Sequence, residues 1–154
     1  FDHPRPIDAF TQIHLHKIEP FTLVIRQAEQ LFEARWDGQE KAITELDVAS
    51  AYIWSSVTLY TEDVIAKRKA WFEAFQKEYN EIGAKELLHF HRFAGDGDGN
   101  NDVLMNRNNE MLTVSITQLQ RRDELSFMQY HDLTAGKVYS QEFKHSISQL
   151  HAST

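Results

Sequence analysis

Histidines and acids at close spacing are the first chemistry this chain offers. Two His-x-His pairs occur, His14 with His16 and His89 with His91, and the second is soon followed by the acidic run Asp96-Gly97-Asp98-Gly99-Asn100-Asn101-Asp102. Imidazoles two residues apart share a face on a strand and can chelate a metal there. On a helix they diverge, and both pairs fall in stretches read as helical. The best ligand set that spacing offers is His89, His91 and Asp98, which would make the chain a metal-dependent hydrolase. Oxygen ligands at alternate positions from Asp96 also match the opening of a calcium loop. Its sixth position is Asn101 where the sharp turn needs glycine, and its twelfth is Arg107 where a bidentate glutamate belongs. A solvated turn accounts for the same Gly, Asp and Asn residues.

Asn106, Arg107 and Asn109 crowd amide and guanidinium groups into a short connection between two strands, where side chains can meet a ligand. A plain turn explains them too, because asparagine tolerates left-handed backbone. Trp54 and Ser55 join them as ligand-binding candidates. No Gly-x-Ser-x-Gly elbow surrounds Ser55 or Ser56 to make either a nucleophile, and no acid pair is placed across a cleft by sequence, so no catalytic residue is assigned.

These groups must be carried by elements whose patterns are legible. Pro4 and Pro6 fix an extended entry to a short helix over 7–18, which Pro20 stops. Phe21 to Ile25, Leu31 to Trp36 and a third run toward Leu46 read as an antiparallel meander, with Asp37-Gly38 at the second turn. Tyr52 to Leu59 is either a strand or an irregular segment. Thr61, Glu62 and Asp63 open a helix whose Val64, Ile65, Trp71, Phe72, Phe75 and Tyr79 recur at helical spacing, with Lys67, Arg68 and Lys69 largely opposite. A shorter helix follows over 84–93, with Leu87, Leu88 and Phe90 toward the core. Met111 to Leu119 reads as one strand, Leu112, Val114 and Ile116 facing in and Thr113, Ser115 and Thr117 facing out. A turn at Arg121, Arg122 and Asp123 leads to a partner strand over 125–133, where Leu125 and Phe127 alternate with Ser126 and Met128. Val138 to Phe143 is extended, and residues 144–154 form a weakly helical or disordered tail.

At 154 residues with 42% apolar composition, the chain is the size of one domain and can bury a core. The absence of cysteine removes disulfides, thiolate metal sites and a cysteine nucleophile. A net charge of −7 argues against nucleic acid as a partner. Without a long apolar run or a signal-peptide pattern, no membrane insertion is expected and the location is read as cytoplasmic. Composition specifies neither a cofactor nor an oligomeric state.

Five separated pieces resemble one family in order and spacing: PFTLVI at 20–25, RWDG at 35–38, WSSVTLYTEDVIAKRKAWFEAF at 54–75, FHRF at 90–93 and VLMNRNNEMLTVSITQL at 103–119. Together they are similar to the carboxy-terminal part of bacterial NRDE proteins, relatives of the transport and Golgi organisation 2 family. The resemblance implies an α+β fold, antiparallel sheets covered by helices as in part of an αββα amino-terminal-nucleophile-hydrolase sandwich. It also implies that the chain is the carboxy-terminal portion of a longer architecture, because the family's early cysteine and Asn-Arg-Asp-Glu strand have no counterpart. The expected role is non-catalytic binding of a small ligand, haem-like or a metabolite, or of a protein partner, near the loops over 96–109. The alternative is an amidohydrolase whose nucleophile lies outside this chain.

Overall fold

The computed structural model describes residues 5–56, 58–122 and 124–144. The chain is α+β, with helices and three antiparallel sheets. The residues gather into two compact units, Phe1–Ala66 and Lys67–Thr154.

In the first unit α1 (Pro6–Gln12) precedes a meander of β1 (Phe21–Gln27), β2 (Gln30–Trp36) and β3 (Lys41–Leu46). The β1–β2 turn has only two residues, Ala28 and Glu29, because Gln27 pairs with Gln30. Ala28 adopts φ 51°, a conformation that suits glycine or asparagine better. At the next turn Asp37 Oδ1 accepts from the Gln39 and Glu40 amides, both at 2.7 Å, and Gly38 takes φ 101°. The pairing places Phe21, Trp36 and Lys41 abreast, then Leu23, Ala34 and Ile43, then Ile25, Phe32 and Glu45. That face carries the core, in which Phe32, Ala34 and Trp36 are buried with Ile7, Phe10 and Leu15. Trp36 Nε1 donates to Ile18 O at 2.9 Å.

The first helix is shorter than its apolar spacing suggests. It ends at Gln12, and Lys41 Nζ donates to the carbonyls of Thr11 and Ile13 at 2.9 and 2.5 Å. A lysine supplied by β3 thus satisfies carbonyls at the helix end. Lys17 at φ 66° then turns the chain toward β1. His14 and His16 are therefore exposed on a connection, not on a helix. Residues 51–56 have no regular structure, and Val57 lies outside the described residues.

The second unit contains most of α2 (Glu62–Glu78), then α3 (Ala84–Phe93), the short β4 (Asn106–Arg107) and β5 (Met111–Leu112), and a meander of β6 (Ser115–Arg122), β7 (Leu125–Asp132) and β8 (Lys137–Lys144). The helical spacing of Phe72 and Phe75 does place them in the core, with ring centroids 6.1 Å apart and those of Phe90 on α3 at 5.4 and 5.0 Å. Glu86 accepts from the Gly83 amide at 3.0 Å, closing the start of α3.

Two expectations are corrected here. Arg68, expected with its basic neighbours largely opposite the apolar face of the helix, is 7% exposed. Met111 to Leu119 is also not one strand, since its backbone breaks at residues 113 and 114. Thr113 exchanges bonds with Met105, its amide donating to Met105 O at 2.8 Å and its Oγ1 accepting from Met105 N at 3.0 Å. The interruption spoils the alternation. Ile116 is buried, whereas Val114 is 52% exposed and Leu112 is exposed as well. On β7 the buried side chains are Ser126 and His131, not Leu125 and Phe127. Arg122 pairs with Leu125 across the turn, whose Asp123 lies outside the described residues. Lys144 closes β8, and the rest of the expected tail, 145–154, also lies outside them.

Candidate functional site

The connection between α3 and β5 holds most of the polar groups that sequence singled out, and Arg68 organises it. From α2 its Nε and a terminal nitrogen donate to Asn101 O at 3.2 and 3.1 Å, and that nitrogen also reaches Asp102 O at 2.6 Å. One planar fork thereby fixes two successive peptide groups, a task its rigid donor geometry suits. Lys67, one residue earlier, pairs with Asp96 at 2.9 Å.

The carboxylates of the loop turn inward. Asp98 Oδ1 accepts from Asn100 N and its Oδ2 from Asn101 Nδ2, at 3.1 and 2.7 Å. Asp102 Oδ1 accepts from Asp96 N at 3.0 Å, and the Asp102 side chain lies so close to Gly95 that a Cβ there would collide with it. The hydrogen bond from Lys67, then that from the Asp98 amide, holds the Asp96 carboxyl below its ordinary value. Bonds from Asn101 and the Asn100 amide do the same for Asp98. These are oxygens already occupied by Lys67 on α2 and by the loop's own donors. Among the described residues no group of three or more His, Asp or Glu side chains could hold a metal ion. The expected set of His89, His91 and Asp98 is therefore not assembled. On α3 the two imidazoles diverge, His91 Nδ1 bonding Leu87 O at 2.8 Å and His89 lying 4.8 Å from the Phe93 ring.

Asn106, Arg107 and Asn109 serve the hairpin of β4 and β5. Asn106 Oδ1 accepts from Asn109 N and its Nδ2 donates to Asn109 Oδ1, both at 2.8 Å, while Asn108 and Asn109 take φ 54° and 60°. Arg107 Nε donates to Asn100 O at 3.0 Å, tying the hairpin to the acidic loop. The amide-rich run thus builds a turn. Trp54 and Ser55 belong to the other unit. Trp54 Nε1 donates to Glu33 Oε2 at 2.6 Å, its ring lies 5.6 Å from that of Tyr52, and Ser55 is half-buried.

A concave surface that the motifs did not indicate lies in the first unit. Pro6, Phe10 and Ile13 with Leu15, Phe21, Leu23 and Ile25 line most of a groove of about 660 Å³. Its origin is local. Phe21, Leu23 and Ile25 alternate onto the helix-bearing face of β1, and α1 ends after two turns, so among the described residues the outer part of that face is left uncovered. The period of two in FTLVI was the available signal, but it reads equally as ordinary core.

In comparisons with protein-family models, curated proteins and solved structures, nothing matches this chain.

Proposed function

We propose that this chain is a binding element of an NRDE-like protein, non-catalytic by itself, that takes a small apolar ligand of haem-like character in the groove of α1 and β1. The groove carries the reading. Its volume of about 660 Å³ falls within the range of ordinary small-molecule sites, and among the described residues Gln12 is the one polar side chain lining it. Leu23 at 43% and Ile13 at 49% exposure give a ligand apolar surface to cover. His14 follows Ile13 and precedes Leu15, both in the lining, and offers an imidazole beside it in sequence. The loops over 96–109 are the weaker location, since their carboxylates and amides are engaged with one another.

Haem titration monitored in the Soret region tests this. Saturable binding with about one equivalent is expected, abolished by Leu23→Arg, which replaces an exposed wall residue and should leave far-ultraviolet dichroism unchanged. A Soret band that matches free haem at every ratio overturns the reading, as does binding that Leu23→Arg leaves intact.

A further inference from the structure

The outer strand of the second meander, β6, pairs with β7 on one side and, among the described residues, with no strand on the other. A cleft of about 460 Å³ runs beside it, lined by every residue from Ile116 to Arg122 without a gap and, across from them, by α3. Successive side chains of a strand point to opposite faces, so seven consecutive lining residues mark the edge of the strand and not one of its faces. Along such an edge the N–H and C=O of every second residue point outward, ready for another strand. The Gln118 side chain donates to Ala84 O and so ties β6 to the start of α3, which sets the distance between the two walls.

The lining also selects by charge. Leu87, Leu88 and the buried Ile116 supply an apolar floor, Arg121, Arg122 and His91 supply basic groups, and among the described residues no Asp or Glu lines the cleft. In a chain of net charge −7 this is a local exception. Leu119, 70% exposed, adds apolar surface on the edge itself.

We propose that the β6–α3 cleft takes an extended, acidic segment of a partner protein by strand addition. Main-chain bonds to β6 hold the segment, alternate side chains settle on Leu87 and Leu88, and its acids meet Arg121 and Arg122. The proposal concerns the second unit and is independent of the ligand groove.

A fluorescein-labelled octapeptide alternating Glu with Val, followed by anisotropy at low salt, is the probe. Saturable binding is expected, weakened about tenfold or more by the double variant Arg121→Glu, Arg122→Glu, whose sites are exposed. The same peptide N-methylated on alternate residues of one edge should not bind, because strand addition needs those N–H groups. Leu23→Arg should change nothing, which keeps this outcome separate from that of the haem titration. No saturation at millimolar protein overturns the proposal. Equal binding of a Lys-Val peptide or of the N-methylated peptide does too. Sedimentation showing that the free protein dimerises through β6 and that dimerisation excludes the peptide would assign the edge to a second copy instead.

Discussion

Replacing Arg68 is the sharpest test of how the second unit is held together. The side chain is 7% exposed and gives three hydrogen bonds to the carbonyls of Asn101 and Asp102. Arg68→Ala leaves two half-buried carbonyls without a charged donor, at about 1–2 kcal/mol each. Losing the packing of the buried stem adds about 1 kcal/mol, so the total is roughly 3–5 kcal/mol. Arg68→Lys keeps the charge and much of the stem but replaces the fork by a single nitrogen, and should cost about 1–2 kcal/mol. Urea unfolding followed by the fluorescence of Trp71, with Trp36 and Trp54 changed to Phe in the background, reads this unit. Hydrogen exchange over residues 95–107 reads the loop. Faster exchange there than across β6 and β7 is expected for both variants, with Arg68→Ala the larger effect. A loss below about 1 kcal/mol for Arg68→Ala, or equal losses for the two variants, would refute the claim that the fork supports the loop.

Phe72→Ala should cost about 3–5 kcal/mol by removing the ring that contacts both Phe75 and Phe90, and a loss under about 1 kcal/mol in the same unfolding assay contradicts the face assignment. Ala28→Gly should stabilise the first unit by about 0.5–1 kcal/mol, since φ 51° in a two-residue turn strains alanine more than glycine; an unchanged or lower melting temperature counts against this. Asp96 and Asp98 have depressed carboxyl values, so their contribution is present above the ordinary 3.8 and is lost as pH falls through the lower folded values. Lys67 is raised from 10.5 chiefly by its bond with Asp96, so its contribution disappears only as pH rises through the folded value. Carbon-detected titration should find Asp96 below 3.8, and Lys67→Met should move it back up; a midpoint at or above 3.8 in the parent protein would remove the ion pair from the account.

Local pattern made much of the scaffold readable. The apolar spacing over 62–78, the shorter helix over 84–93 and the three runs between Phe21 and Leu46 each match an element, because helix and strand periodicity express burial on one side. Asp37-Gly38 marks a turn because its chemistry is contained in four neighbouring residues.

Decisions that depend on partners far along the chain were not legible. Whether α1 reached Ile18 was settled by Lys41, supplied from β3 to its terminal carbonyls. Whether Arg68 was solvated was settled by two carbonyls more than thirty residues away. Leu112 and Val114 were taken out of the expected alternation by Thr113 bonding Met105, a contact that no period of two contains. The candidate sites follow the same division. Sequence identified the histidines, the acidic loop and the Asn-Arg run, residue types able to bind a metal or ligand. Tertiary structure engaged the acids and amides with one another and set the imidazoles of His89 and His91 on diverging directions of a helix. Among the described residues it left concave surface built from unremarkable residues along β1 and beside the outer edge of β6. Composition and spacing determine which groups a chain possesses, but a site requires that they converge with their bonding capacity unspent, and that is decided by which distant segments meet.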